Sequence, residues 1–472
     1  MNSCIFREYD IRGLIGQELL LDECYDLGKA LITYLVNKNS EANAIIIGRD
    51  GRSHSQQIFD QFSKASMDMG FDVIDLGLVP TPVAYFAVKT LKNPAMLMIT
   101  ASHNPKEYNG IKVWGASGPQ IQEIRKIYES QDFCQAKKPT HGVVINKHEI
   151  INEYINYLTT EFTHLKNSPI KALIDSGNGA AGAVVPQLIQ AMGWNNVKQI
   201  FAEIDGDFPN HEADPTTVEN MQFAINELKS NPELEIGIGF DGDCDRMCPI
   251  TKSGKLVSGD RLLTIFAKPV LQAHPNATIV FDIKSSSCLI EALTKWGANP
   301  LISPSGHSII KDTMIKENAK LAGELSCHFF FNDRYFGYDD GIYAMMRLVE
   351  ILTTENRSLD ELLDEMPIKE STAEIKIKCA TEADKKIIVD QVKTIFAARK
   401  DVQAITIDGI RAQMSYGWGL LRASNTQPAL ILRFESDSKE GLKQIKSDFY
   451  DALKPHFDEN ILIKKLEIKK DC

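Results

Sequence analysis

The sequence predicts an α/β fold: three topologically related mixed α/β units, followed by a C-terminal α+β unit. Three observations lead there. β-Branched runs alternate with helical patterns through most of the chain, which implies βαβ units and a covered, largely parallel sheet. The same order of elements occurs three times. Beyond Met366 several strands follow one another with helices at their flanks, which is an α+β layout.

The first unit opens its sheet at Ala44-Ile-Ile-Ile-Gly-Arg-Asp-Gly51, then has short apolar strands at Phe71 to Leu76 and Ala95 to Ile99. The second repeats this with Ala172-Leu-Ile-Asp-Ser-Gly-Asn-Gly179, Val197 to Ala202 and Leu234 to Phe240. The third uses Thr278-Ile-Val-Phe-Asp-Ile-Lys284, Asn299 to Ser303 and Ala319 to Gly323. Each third strand ends in a chemically loaded loop, and ligands of open α/β sheets sit beyond the carboxyl ends of strands. Three such edges facing one cleft would build a site from three units. Ala136-Lys-Lys-Pro-Thr-His-Gly142 reads as a linker, with further breaks near Thr251-Lys-Ser-Gly254 and Met366-Pro-Ile-Lys369. The expected domains are therefore 1–143, 144–251, 252–366 and 367–472. In the last, Glu374 to Cys379 alternates as a strand and Ala383 to Arg399 is helical. Three or four strands follow between Ala404 and Glu435, then a helix from Lys439 to Leu453.

Composition narrows the function. A chain of 472 residues is too long for one core. Hydrophobic residues make up 43% and charged ones 24%, the values of an ordinary globular protein. Nine scattered cysteines without a CxxC pair fit a reducing cytoplasm better than a disulfide framework. Met1 to Gly13 lacks the apolar region of a secretion signal, and no run approaches membrane-spanning length. A net charge of −11 argues against nucleic acid, and it requires a locally basic cleft for any anionic substrate.

Four motifs carry chemistry. Thr100-Ala-Ser-His-Asn-Pro105 closes an apolar strand on a polar loop, where Pro105 pushes Asn104 out of the helical region. That arrangement displays the Ser102 hydroxyl; an ordinary turn is the alternative. Asp241-Gly-Asp-Cys-Asp-Arg246 sets three carboxylates at alternate positions, whose repulsion must be relieved by solvent or by a divalent cation. Oxygen ligands select Mg²⁺ or Ca²⁺. The loop is no EF-hand, since Arg246 and Lys252 stand where glycine and glutamate belong. Arg422-Ala-Ser-Asn-Thr426, with Arg433 a strand later, offers a guanidinium fork with hydroxyl and amide donors, an anion grip or an Asn-Thr turn. Gly323-Glu-Leu-Ser-Cys-His328 closes the third unit. His307, His328 and Lys112 taken singly read equally well as structural or surface groups. There is no Gly-x4-Gly-Lys-Ser/Thr loop for nucleotide hydrolysis.

Together these strings resemble the α-D-phosphohexomutases, most closely the bacterial phosphomannomutase/phosphoglucomutase branch. Phe6-Arg-Glu-Tyr-Asp-Ile-Arg-Gly13, Gly48-Arg-Asp-Gly-Arg52, Gly77-Leu-Val-Pro-Thr-Pro82 and Phe336-Gly-Tyr-Asp-Asp-Gly-Ile-Tyr343 extend the resemblance along nearly the whole chain. It implies four domains around a central cleft, the last TATA-binding-protein-like. It further implies Mg²⁺ and interconversion of hexose 6-phosphate and hexose 1-phosphate (mannose, also glucose) through a phosphoserine and a hexose 1,6-bisphosphate. By resemblance Ser102 carries the phosphoryl group and joins Asp241, Asp243 and Asp245 on the metal. Arg246, Lys112, Arg12 and His103 surround it, while Tyr9, Lys284, His307, Glu324, Ser326 and His328 line the sugar. Arg422, Ser424, Asn425, Thr426 and Arg433 hold the phosphate that is not being transferred.

The expected partners are hexose phosphates alone, bound by a monomer or weak dimer. Two departures from the family pattern bear on specificity. Leu325 and Cys327 replace the usual Met and Gly of the sugar loop, and Cys327 matters if that position needs a positive φ. Phe208-Pro-Asn-His-Glu-Ala-Asp-Pro215 is looser than the family's run. Both are expected to lie away from the phosphoserine. Three other readings stay open: a phosphoglucosamine mutase, a Mg²⁺-dependent sugar phosphatase and a non-catalytic sugar-phosphate binding protein.

Overall fold

The β-branched runs form the strands they predict. The computed structural model describes residues 1–135, 140–424 and 428–468, so Ala136 to Pro139 of the expected linker lie outside it. The first unit contains β1 (Ile11–Leu14), β2 (Ala44–Arg49), β3 (Asp72–Leu78), β4 (Met96–Ile99), β5 (Tyr108–Val113) and β6 (Val144–Asn146). They lie in the order β1-β5-β4-β2-β3-β6, so Val144–Asn146 pairs with β3 and the first unit runs past the expected boundary at 143. The second holds β7 (Ala172–Asp175), β8 (Lys198–Ile200), β9 (Ile236–Phe240) and β10 (Met247–Ile250), ordered β10-β9-β7-β8. The third holds β11 (Thr278–Asp282), β12 (Asn299–Ser303), β13 (Leu321–Gly323) and β14 (Phe329–Phe331), ordered β12-β11-β13-β14.

Read from the same end, the four-strand order of all three sheets is identical. Three strands per unit are parallel, as the repeat predicts. The structure adds a fourth, antiparallel strand to each: β5 on β4, β10 on β9 and β14 on β13. The sequence reading names no such partner. These strands are short, and the loops leading into them hold polar residues that mask their pattern.

The last unit is antiparallel: β15 (Glu370–Ser371), β16 (Ile375–Lys378), β17 (Gln403–Ile405), β18 (Ile410–Met414), β19 (Gly417–Ala423) and β20 (Ala429–Ser436). Helices Glu382–Ala397 and Lys439–Leu453 cover one face, as expected, and Glu459–Leu466 is an addition. One buried core runs through the first three units, from Ile46 to Leu362, whereas the fourth has its own from Ile377 to Leu466. Between third and fourth lies a small apolar contact of Ile283 with Trp418 and Leu420.

Candidate active site

Three loops occupy one topological slot, between the third strand of a repeat and its antiparallel partner. The β4–β5 loop carries Ser102, the β9–β10 loop the aspartates, and the β13–β14 loop Glu324 to His328. All lie beyond the carboxyl ends of their third strands, where open sheets place ligands. They face one cleft of about 910 Å³ that also receives Arg12 and Tyr9 from the N-terminus and Arg422 and Ser424 from the fourth unit. The metal and sugar loops meet directly through a bridge between Arg246 and His328.

Ser102 sits at φ +50, in the left-handed region that ordinary residues avoid. Its Oγ donates to Asp241 Oδ2 at 2.9 Å and lies 3.2 Å from His103 Nδ1. The expectation of a displayed hydroxyl needs correction, because Ser102 is only 4% exposed. The metal loop closes over it so tightly that a Cβ on Gly242 would stand 2.5 Å from the Ser102 carbonyl oxygen. Burial, reinforced by Arg246 and Arg12, holds His103 well below the usual imidazole range. Arg12 reaches the same loop through Asn104 Oδ1 at 2.8 Å.

Asp241, Asp243 and Asp245 are wholly buried, which removes the solvated-turn alternative. One oxygen from each lies within 4.8 Å of the others, a group that could hold a metal ion. Lys112 Nζ donates to Asp243 Oδ2 at 2.6 Å and also to Asp245. Arg246 Nε donates to Asp241 Oδ2 at 3.1 Å. Burial pushes Asp241 up to about 7 although Arg246 opposes it. Burial also works against the Lys112 ammonium, but Asp243 and Asp245 outweigh it and keep the lysine well above its usual value. Asp243 Oδ1 accepts no hydrogen bond among the described residues, and Asp245 Oδ1 has only the His328 ring nitrogen at 3.3 Å. Such buried, incompletely satisfied carboxylates fit a hard divalent cation.

On the sugar side, Glu324 Oε1 accepts from Gly306 N at 2.8 Å, and His328 Nδ1 lies 3.1 Å from Glu324 Oε2. His328 Nε2 approaches Asp245 Oδ1 at 3.3 Å, so one imidazole links sugar loop and metal loop. Burial disfavours its charge, yet Asp245 and Glu324 raise it to about 10. His307 stacks on His328 at 5.3 Å between ring centres, and Ser326 Oγ lies 3.3 Å from His328 Nδ1. Tyr9 donates to Ser305 O at 2.7 Å, and its ring would strike any Cβ on Gly306. Lys284 Nζ lies 3.5 Å from both Asp282 and Glu374. Cys327 adopts φ +69 with its side chain buried, so this position has the positive φ that favours glycine.

In the fourth unit Arg422 Nε donates to Asp408 Oδ2 at 2.8 Å, while its buried Nη2 finds no partner among the described residues. Ser424 lines the cleft; Asn425 and Thr426 lie outside the described residues. Arg433 does not reach the cleft as expected. It donates from Nη1 to Lys284 O at 2.6 Å and lines a separate cavity of about 490 Å³ behind the junction of the third and fourth units. It shares a face of β20 with Ile431, which lines the cleft, but stands two residues further along the strand, opposite Leu420 and over the Lys284 backbone.

The structure also brings in residues the sequence reading missed. Asp214 lies 3.6 Å from Arg246 Nη1, and Arg246, His103 and Thr216 overcome burial to draw its carboxyl down to about 2. The loose run around it therefore reaches the serine loop, contrary to expectation. Its Asp-Pro ending was the available signal. Asp339 stands 3.2 Å from His307, wholly buried, and was hidden inside an otherwise aromatic motif.

Models of phosphoglucomutase/phosphomannomutase alpha/beta/alpha domains I, II and III match residues 3–134, 152–254 and 258–369, and the C-terminal domain model matches 374–452. A phosphomannomutase/phosphoglucomutase of Pseudomonas aeruginosa is 39% identical over 461 residues, 96% of each chain. The chain belongs to the phosphoglucomutase/phosphomannomutase family. A phosphoglucomutase of Neisseria meningitidis is 38% identical over 450 residues, covering 94% of this chain and 95% of the relative. The crystal structure of a family protein from Burkholderia thailandensis superposes with a TM-score of 0.86 at 35% identity, covering 96% of this chain and 98% of that one. Four mixed domains around one cleft are thus the family architecture.

Proposed function

We propose that this enzyme is a hexose phosphate mutase that passes a phosphoryl group between Ser102 and either end of a hexose phosphate. The observation that carries the reading is Ser102, whose Oγ is bound to Asp241 within a cleft that also holds the separate, partly unpartnered Arg422 fork. In the first half-reaction the P–O bond to Ser102 Oγ breaks and a bond forms to the free sugar hydroxyl, whose proton is passed on to the released Ser102 oxygen. The product, a hexose 1,6-bisphosphate, turns around. Its other phosphoryl then moves to Ser102, whose proton passes to the sugar oxygen set free, and the isomeric monophosphate departs.

Transfer of this kind depends on positioning and charge neutralisation more than on a strong base. Mg²⁺ on Asp241, Asp243 and Asp245 would neutralise charge on the transferring group. Lys112, Arg12 and Arg246 surround the same place with fixed positive charge. His103, held neutral, stands 3.2 Å from Ser102 Oγ, donating or accepting by its tautomer. Glu324 and Ser326 accept and donate to sugar hydroxyls with His307, His328, Lys284 and Tyr9 around them. Arg422, Ser424, Asn425 and Thr426 would hold the phosphate at rest. A phosphatase would need no such second grip.

Glu324 would bind hydroxyls shared by mannose and glucose, so both should react. Leu325 offers no partner to an ammonium at C2, and an unpartnered buried ammonium is costly. Glucosamine 1-phosphate should therefore be slower by about tenfold or more, which is about 1.4 kcal/mol of lost transition-state binding. Intact mass before and after treatment with glucose 1,6-bisphosphate, followed by site mapping, tests the carrier. One phosphate on Ser102 is expected; none there under any loading condition would defeat the proposal.

A further inference from the structure

Arg52 does not line the cleft and meets Ser102 only through its main-chain oxygen, yet among the described residues it is tied to the Ser102 loop by more hydrogen bonds than any other side chain. Its Nη2 donates to Ser102 O at 2.8 Å and to Asn104 O at 2.6 Å. Its Nη1 donates to Pro105 O at 2.8 Å and to Tyr108 O at 3.1 Å. The fifth donor, Nε, goes to Asp50 Oδ2 at 3.2 Å. Asp50 is itself fixed by Ser55 Oγ at 2.6 Å, and Ser55 Oγ accepts from Asn109 Nδ2 at 3.0 Å. One planar fork thus reaches four main-chain carbonyls, of which Pro105 O also accepts from Tyr108 N at 3.0 Å, and it does so 3% exposed.

The place of that fork matters because of what it holds. Ser102 is left-handed at φ +50, a conformation that persists only when its surroundings impose it. The Ser102 carbonyl accepts from Arg52 Nη2, and Gly242 of the metal loop packs so close to it that a side chain there would collide with it. Its Oγ must meanwhile stay 2.9 Å from Asp241. Phe208, from the second domain, lies over the guanidinium at 5.0 Å and closes it from solvent.

We infer that Arg52 is the positioning residue of the phosphoryl carrier: it forces the strained Ser102 backbone and so aims Oγ at the metal loop, without contacting substrate. This rests on the carrier role proposed for Ser102. Lysine at this place would keep the charge but could reach only one or two of the four carbonyls, so it separates the fork from the charge. A loop merely loosened there still leaves the sugar and phosphate grips on other domains intact.

The test compares Arg52→Lys and the milder Ser55→Ala with the parent enzyme, all loaded with glucose 1,6-bisphosphate. Steady-state kinetics, thermal melting and the decay of the Ser102 phosphate by intact mass are measured on each. Arg52→Lys should lose kcat by about a hundredfold with KM for glucose 1-phosphate within twofold. Ser55→Ala, which loosens Arg52 only through Asp50, should lose about threefold in kcat with the same split. The half-life of the phosphoenzyme without sugar should change in both. Unchanged kcat and phosphoenzyme lifetime in a folded Arg52→Lys would overturn the inference, as would kcat and KM moving together. If Arg52→Lys does not fold, Ser55→Ala decides by the same split. A parent enzyme that never accepts phosphate at Ser102 would instead defeat the carrier assignment, a separate and distinguishable result.

Discussion

The first three domains and the fourth are joined to the cleft in different ways. The three share one apolar interior in which Phe86 of the first packs on Tyr154 of the second and Phe336 of the third, at 5.4 and 6.2 Å between ring centres. The fourth instead grips one stretch of the third through polar groups. Arg411 donates to Ile283 O at 2.9 Å and Ser285 O at 2.7 Å, Arg433 to Lys284 O, and Ser287 N to Glu435 at 2.9 Å. Apolar burial tolerates little displacement, whereas a few polar links to one loop can act as a pivot. The chemistry divides along the same line. Under the proposed mechanism Ser102, the aspartates and Glu324 would have to keep their distances, while a phosphate grip at Arg422 would have to let a bisphosphate turn. The fixed parts belong to the shared core and the releasable part to the separate one.

The largest expected effect comes from the fixed body. Ser102→Ala should lower kcat/KM by about 10⁴, roughly 5.4 kcal/mol of transition-state stabilisation, with the melting temperature nearly unchanged. Kinetics beside thermal melting would show this; retained activity would break the division. Next, Phe86→Ala should cost the body about 3–5 kcal/mol as a buried aromatic truncation. Calorimetry should resolve two transitions, and only the one belonging to the first three domains should fall. A single transition that moves as a whole would erase the distinction.

Smaller effects belong to the fourth domain. Arg422→Lys keeps the charge but loses the fork, and should raise KM by about tenfold, or 1.4 kcal/mol, with kcat less affected. An equal fall in kcat would place Arg422 in the reacting part instead. Smallest is a pH effect across the junction. Lys284 above all, helped by Arg422 and Arg433 against burial, holds the Glu374 carboxyl below its ordinary 4.5. The docked form thus binds this proton less readily than the undocked one. Its contribution is complete above about pH 4.5 and is lost as pH falls through the depressed value. Glu374→Gln should remove that part of the acid sensitivity of the fourth domain's transition, an effect of up to about 1 kcal/mol for a partly solvated pair.

The repeat was legible because its parallel strands are buried on both faces and read as continuous apolar runs, as Ile45 to Ile47 and Ile279 to Phe281 do. Ser102 and the three aspartates were legible for another reason: each ends such a run in residues no strand would carry. Lys112 was visible only through the family motif, because its place inside β5 looks like any exposed lysine of an alternating strand. Asp214 and Arg433 went astray because a single charged residue says nothing about which neighbour packs against it. That depends on packing, here of the second domain's loop on Arg246 and of β20 on the Lys284 backbone. Arg52 stood in plain sight in Gly48-Arg-Asp-Gly-Arg52, but what it binds is main-chain oxygen, which leaves no trace in sequence.

The cysteines give both junctions a built-in clock. Cys244, Cys248 and Cys327 are buried where the second and third domains meet, and every described cysteine is a free thiol. Cys288 is half-buried beside the fourth domain's connection, its Sγ 3.5 Å from Pro367 O. An alkylating reagent can take a buried thiol only when its surroundings open, so labelling rates would time the two openings separately in the unmodified protein. Exposed Cys4 should react before Cys288, and the three interior thiols only as fast as the joint body unfolds. A hexose bisphosphate bridging Ser102 and Arg422 would then slow Cys288 and leave the interior thiols as they were.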